Sequence, residues 1–398
     1  KRLQALEARN ISLKNLRRDE LLSLFMDPTN GKAYAAVAGR VYEVRREANN
    51  GRWMIIGADR TPGPCIKLDA RQRWQLDIES GLKGGGGAMT KLRTHAADVS
   101  ADDVLLIEAS GMPEIRKFFR ERAQHIGEAH LQAKRYLENA LDNLNVHEPG
   151  APLHPRVTQI IGDFFGVSQP DPELLVETER AIKALFDEVM DASLSPYSSP
   201  RFVVGTSRAG HSGTMGFVIK RDPKKRVFLT DRYFDAPPFP LTPEAAAQGF
   251  DCPAHYRAAT LIHELSHLVL DTHDIAYLES TAPYPDLLLE NNANNIKLKA
   301  DIERMQTYGL SHLSTRNELF LQLKEGEWRD FDEDEGFEHG AILKLARTKT
   351  LDEARDVFLS DASKRSKILL ANADSVTLLI LRLGRRSFVV PASSPGGR

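Results

Sequence analysis

The chain has 398 residues, 41% hydrophobic and 27% charged, with a formal net charge of −2. That length supplies material for two domains, or one large domain with a smaller module, and the balanced charge excludes any general attraction to nucleic acid or an anionic membrane. The two cysteines, Cys65 and Cys252, exclude a disulfide framework and match no cysteine-based zinc site, and no stretch approaches the roughly 18 to 20 apolar residues of a membrane span.

The sequence starts at Lys1 with neither an initiator methionine nor an apolar signal segment, and reads as a fragment of something longer. Residues 1–30 carry a polar amphipathic pattern that predicts a helical lead-in, ending at the turn cluster Asp27-Pro28-Thr29-Asn30-Gly31. From Tyr34 to Ile78 the pattern changes to short β-type runs: Ala35–Val37, Val41–Val44, Trp53–Ile56, Cys65–Leu68 and Trp74–Ile78. Turn signals at Ala38-Gly39, Asn49-Asn50-Gly51 and Pro62-Gly63-Pro64 separate them at hairpin spacing, predicting a small all-β module of two or three hairpins. The run Gly84–Gly87 lacks the strand–loop–helix setting of a phosphate cradle and reads as a flexible joint. We therefore divide the chain into 1–87 and 88–398.

Pro113 to Asn145 predicts a long helix, with Ile115, Phe118, Phe119, Ile126, Leu131, Leu137, Leu141 and Leu144 on its apolar stripe. His125 and His130 within it have no second histidine at helical spacing and read as surface or core residues. Phe164-Phe165-Gly166 and Pro172–Met190 indicate a further helix, then come β-runs at Phe202–Gly205, Thr214–Ile219 and Arg226–Leu229, then a helix over Tyr256–Leu270. Residues 281–350 are polar and mixed, and read as an insertion. Asp330, Asp332 and Asp334 fit the start of a calcium loop, but the glycine and the closing glutamate are out of place, so a solvated acidic face is expected. Helices are expected over about 351–384, followed by a disordered Pro/Gly/Ser tail.

The chemistry concentrates in His263-Glu264-Leu265-Ser266-His267. Residues four apart share a helix face, so both imidazoles can address one ion, and zinc accepts neutral imidazole nitrogen. Glu264 then lies beside the metal, where it can take a proton from a metal-activated water. A catalytic zinc needs a third protein ligand, for which His273, Asp274, Glu279 and Glu290 are candidates. His273 has metzincin spacing, but Leu270 stands where that family has its turning glycine.

The segment Thr272-His273-Asp274-Ile275-Ala276-Tyr277 resembles the G-T-x-D-x-x-Y that follows H-E-x-x-H in the aspzincins, the deuterolysin-like and peptidyl-Lys zinc endopeptidases. Asn372-Ala373-Asp374-Ser375 resembles that family's N-A-D-[NS]-Y, and Val227–Phe234 its edge strand with an aromatic continuation. The resemblance covers about 110–385. It implies that His263, His267 and Asp274 bind one Zn2+, that Glu264 is the general base and that Tyr277 steadies the oxyanion. Asp271 replaces a glycine, Val376 replaces a tyrosine, and the insertion separates the motifs. These departures bear on lysine specificity more than on metal chemistry. The shortened interval from His267 to Asp274 is similar to that of certain type III secreted effector proteases.

Upstream, Val41-Tyr42-Glu43-Val44, Gly51-Arg52-Trp53-Met54-Ile55, Arg73-Trp74-Gln75-Leu76-Asp77 and Gly81–Gly86 resemble a module repeated in large dermonecrotic-toxin-like bacterial proteins. The expectation is an α+β fold: a zincin-like metalloprotease domain, mostly helical with a small mixed sheet and an active-site helix, preceded by a small all-β module. Its function would be zinc-dependent hydrolysis of internal peptide bonds in a protein substrate such as a host protein, as the protease part of a secreted toxin or effector, with no nucleic-acid partner. The alternatives are a catalytically idle zincin-fold module and a self-processing protease.

Overall fold

The computed structural model describes residues 6–8, 11, 16–19, 22–37, 40–46, 53–57, 60, 62–68, 74–76, 96–144, 153–208, 211, 213–324, 327–331 and 337–385. Two compact units emerge: Lys1–Leu105 with Arg221–Lys224, and Leu106–Lys220 with Lys225–Arg398.

In the first unit the strands are β1 (Arg17–Asp19), β2 (Leu24–Met26), β3 (Ala33–Val37), β4 (Arg40–Arg46), β5 (Trp53–Ile56), β6 (Pro62–Leu68) and β7 (Trp74–Leu76), followed by helix α1 (96–104). Successive strands pair antiparallel, and a parallel pairing of Val37 with Trp74 joins β3 to β7. That pairing closes β3 through β7 into a five-stranded barrel, which removes the exposed edges that separate hairpins would leave. Leu24, Ala35, Tyr42, Val44, Ile55, Ile66 and Trp74 fill it. The indole of Trp74 donates to the carbonyls of Leu22 and Ser23 at 2.9 and 3.1 Å, so its polar edge is not left bare. Where the helical lead-in was expected over residues 1–30, Arg17–Asp19 and Leu24–Met26 are strands β1 and β2 instead, and residues 1–5, 9–10, 12–15 and 20–21 lie outside the described residues. The Asp27 carboxylate accepts from the Thr29 amide at 2.8 Å and from Asn30 Nδ2 at 2.9 Å, and Gly31 (φ 69°) completes a turn that lays β2 along β3. Pairing of Phe25 and Met26 with Tyr34 and Ala33 overrides the helical periodicity. The glycine joint at 84–87, the acidic residues 332–335 and the terminal tail lie outside the described residues.

The second unit opens with β8 (Leu105–Ser110), α2 (Met112–Phe118), α3 (Arg120–Leu144), α4 (Pro155–Phe165) and α5 (Pro172–Met190). The single long helix expected here is broken at Phe119 (φ −137°). Three of these starts have a local cause: Pro sits in the first turn of α2, α4 and α5, and the Asp171 side chain caps α5 by accepting from the Leu174 amide at 2.8 Å. Gly166 (φ 68°) ends α4 in the left-handed conformation. Strands β9 (Phe202–Ser207), β10 (Gly216–Val218) and β11 (Val227–Leu229) complete a mixed sheet in the order β10-β11-β9-β8. β10 runs antiparallel and β9 parallel to β11. Val227–Leu229 is therefore an interior strand rather than the edge expected from the resemblance, because β10 pairs along its outer side.

Short helices α6 (Asp231–Phe234) and α7 (Pro243–Ala247) lead to α8 (Cys252–Val269), and α9 (Ala293–Tyr308), hairpin strands β12 (Leu321–Lys324) and β13 (Glu327–Asp330), and α10 (Phe337–Ala346) occupy the insertion. The chain ends in α11 (Leu351–Ser360), α12 (Ala362–Leu370) and α13 (Ala373–Leu383). Asp330 is paired with Arg355. On α3, Ala123, Ile126, Ala129, Ala133, Leu137, Ala140 and Leu144 recur every three or four residues and are buried. Their small side chains let α3 lie close to α8 and α13, whose Ala258, Ala259, Leu261, Ile262, Leu265, Leu379 and Ile380 join the same core. No helix among the described residues is long and apolar enough to cross a membrane.

At the start of α8, His255 is 1% exposed; its Nε2 donates to the Ala282 carbonyl at 3.0 Å and its Nδ1 accepts from the Tyr136 hydroxyl at 2.8 Å. Burial, only partly offset by the Ala282 bond, holds its pKa at about 4. An unfolded histidine takes up its proton near pH 6.5, so this residue stabilises the fold fully above that pH and loses its contribution as pH falls towards 4. The expected loss is about 3 kcal/mol across that window. Urea melts of the metal-free protein at pH 7 and pH 4.5, compared with His255→Gln, should show a smaller acid loss in the variant. Equal losses would contradict the assignment.

Candidate metal centre

Helix α8 owes its position to its sequence. Asp251 caps it through the Ala254 amide at 2.9 Å, and the residues before His263 are small or apolar, so the helix runs through the core. His263 and His267 leave it on one face, and their Nε2 atoms lie 3.2 Å apart. The helix stops at Leu270 and the chain turns at Asp271, which takes φ 54° where a glycine would be unstrained. The left-handed residue is thus Asp271, not Leu270, and an aspartate tolerates that conformation better than a branched residue does. The turn brings Asp274 back, with Oδ1 at 3.1 Å from His263 Nε2 and 3.4 Å from His267 Nε2.

Hydrogen bonding fixes which imidazole nitrogens carry protons. His267 Nδ1 faces the Thr272 carbonyl at 2.9 Å, so that nitrogen donates. His263 Nδ1 donates to Asp374 Oδ1 at 2.8 Å. In the neutral imidazoles both Nε2 atoms are then lone pairs, aimed at the spot that Asp274 Oδ1 also faces. That oxygen is buried and has no hydrogen-bond partner. While both imidazoles are neutral, these three acceptors have no donor among them and repel one another unless a proton or a metal cation lies between them. Within the described residues, His263, His267 and Asp274 are the group whose ligand atoms, within 4.8 Å of one another, can hold a metal ion.

The electrostatics agree. Burial opposes a charge on His263, but Asp274 and Asp374 outweigh it and raise its pKa well above the ordinary value. His267 rises for similar reasons, with Asp274 and Glu264 overcoming burial. Burial works the other way on Asp274, whose carboxyl is nevertheless held far below the usual range by the two imidazoles. The site therefore favours positive charge, supplied by protons or by a divalent ion that displaces them. Glu264 is 6% exposed, and burial lifts its carboxyl above the usual range against the pull of both histidines. A Cβ on Gly216 of edge strand β10 would come within 3.3 Å of Glu264 Cγ and 3.2 Å of the Phe228 carbonyl, so a larger residue there would press on this carboxylate's side chain.

Tyr277 is 59% exposed, and its hydroxyl has no hydrogen-bond partner among the described residues. Lost solvation, then repulsion from Asp274, Asp374 and Glu264, raises its pKa, so it stays protonated and able to donate. The other third-ligand candidates are elsewhere. His273 is tied by its backbone to Ala371 and Ala373 (2.8 and 3.0 Å), Glu290 pairs with Lys299, and Glu279 is outside the metal group.

Sequence reasoning missed the supporting residues. Asp374, quoted only for its motif, accepts from His263 Nδ1, from the Leu278 amide at 2.6 Å and from Ser280 Oγ at 2.7 Å. Asn372 accepts from the amides of Ile275 and Ala276 (3.0 and 3.1 Å) and donates to the Ala276 carbonyl at 3.1 Å. The start of α13 thus clamps the loop that carries Asp274 and Tyr277. Comparison of the chain with protein-family models, curated proteins and solved structures finds no match. The geometry of the site carries the reading.

Proposed function

We propose that the chain is a zinc-dependent endopeptidase with a zincin-like second unit, and that it is the protease part of a secreted bacterial toxin or effector acting on a protein substrate such as a host protein. The observation that carries the enzymatic reading is a buried Glu264 carboxylate beside two imidazole lone pairs and an unsatisfied aspartate oxygen. His263, His267 and Asp274 would hold the ion, and two imidazoles with one carboxylate suit zinc in a catalytic rather than a closed structural site. Bound zinc supplies Lewis acidity, which makes water more acidic and a carbonyl more electrophilic. Glu264 takes the proton of the attacking water and passes it to the leaving amine, a role suited to a buried carboxyl whose pKa desolvation has raised. Tyr277, protonated and exposed, donates to the oxygen on which charge develops. The toxin assignment rests on the resemblance of the upstream β-module.

The test uses the purified full chain loaded with one equivalent of zinc and a denatured protein as substrate. The expected result is cleavage at internal bonds, lost on chelation and restored by zinc, with His263→Ala retaining neither stoichiometric zinc nor activity. Stoichiometric zinc without cleavage would overturn the reading in favour of an idle module, and cleavage confined to the parent chain would make the enzyme self-processing.

A further inference from the structure

A groove of about 690 Å³ runs along the solvent side of α3 against the end of α5 and the turn after it. Its floor is a single stripe of the helix. Arg120, Gln124, Gly127, Leu131 and Lys134 fall at steps of three or four residues, and all five line it. From Arg120 to Lys134 the stripe spans about 21 Å, enough for about six residues of extended peptide. The middle of the floor is Gly127, where an added Cβ would meet nothing within 4 Å. A glycine in a helix interior costs about 1 kcal/mol relative to alanine, and among the described residues no close contact at its Cα requires this one. It lets an incoming backbone approach the helix.

Apolar surface is bare on both floor and wall: Leu131 of the floor is 48% exposed, and Met190 and Tyr197 of the wall are 49% and 76% exposed. The charges that line the groove are unequally engaged. Asp191 caps the turn that follows α5 through the Ser193 amide at 2.7 Å, and Glu128 takes the Gln124 amide at 2.9 Å and faces Arg257 at 3.8 Å. Arg116 Nη2 donates to the Tyr197 carbonyl at 2.8 Å and the Pro196 carbonyl at 3.4 Å, neutral partners that leave its charge. Arg120 and Lys134, one at each end of the stripe, have no carboxylate partner among the described residues. The groove thus presents uncompensated positive charge at both ends of an apolar trough.

We propose that this groove docks an acidic segment of a partner protein, with aliphatic side chains on Leu131 and Met190 and carboxylates on Arg120 and Lys134. Charge complementarity selects the sign of the occupant, and the bare apolar walls distinguish a peptide from a simple polyanion. The docking site is separate from the metal centre and does not depend on its assignment.

The probe is a fluorescently labelled peptide of alternating Glu and Leu, about twelve residues long so that it overhangs both ends of the trough, titrated against the full chain by anisotropy. Saturable binding is expected, weaker by about tenfold or more for the same peptide with Lys in place of Glu. Gly127→Trp should weaken it by about tenfold or more by filling the floor, and the Arg120→Glu, Lys134→Glu double variant should do the same by reversing both ends. A Cβ at Gly127 meets nothing within 4 Å, so the backbone accepts Gly127→Trp and its thermal melt should match the wild type, and the exposed charge reversals give a second route if it does not. Equal binding of the Glu and Lys peptides, binding indifferent to both variants, or full displacement by an equal charge of heparin would each overturn the proposal.

Discussion

Glu264→Gln is expected to lower kcat for peptide-bond hydrolysis by about 10²- to 10⁴-fold, or about 3 to 5 kcal/mol in barrier, while zinc remains bound at one equivalent. The substitution keeps the shape of the side chain beneath Gly216 and removes only its ability to accept and return a proton. Because Glu264 adjoins the metal group without belonging to it, affinity for zinc should change little. Stability supplies an independent check. Burial raises the Glu264 pKa, so its ionised form is less favourable in the folded chain than in the unfolded one, and this cost is present at neutral pH and vanishes as pH falls through the folded pKa. A neutral glutamine removes that cost, so the metal-free variant should melt no lower than the wild type at pH 7. An inactive variant that also melts lower would be damaged rather than informative. A folded, zinc-loaded variant that still cleaves a denatured protein at the wild-type rate would exclude Glu264 as the base.

Much of the secondary structure was legible because its causes are local. Pro172 behind a capping Asp171, Gly166 after an apolar helix, and alternating runs between turn residues each act within a few positions. Phe119 looked like part of one long stripe, yet the break there carries no glycine or proline to announce it. The barrel closure between Val37 and Trp74, and the edge position of β10, depend on which distant strands meet. Residues 1–30 show the converse, since a helical pattern is outweighed when Phe25 and Met26 find partners in β3. The site divides the same way. His263, Glu264 and His267 followed from helical spacing alone. Asp274 needed the motif, because its approach depends on a left-handed turn at Asp271 that no periodicity signals. Asp374 lies 111 residues from the histidine it orients, and its sequence context identifies neither that histidine nor the loop it holds.

That separation gives Asp374→Asn the second large expected effect. The carboxylate performs three tasks at once, accepting from His263 Nδ1, from the Leu278 amide and from Ser280 Oγ. An asparagine offers one oxygen for these donors, and its amide group turns a donor towards one of them. His263 then loses both the bond that fixes its tautomer and the charge that raises its basicity, and the loop bearing Asp274 and Tyr277 loses an anchor. Loss of such an outer partner typically weakens metal binding by about 10- to 100-fold, which competition with a chelator of known affinity would measure. The effect should narrow on acidification. The Asp374 charge also favours the proton that competes for His263, so the wild type is penalised more than the variant as pH falls. Saturating zinc should restore part of the activity if Asp374 acts through the histidine, since Glu264 is untouched. Ser280→Ala removes only one of the three bonds and leaves the His263 contact intact, so it should cost far less zinc affinity. If the two variants instead weaken zinc equally, Asp374 serves the loop alone, and the tautomer of His263 is set by something other than this carboxylate.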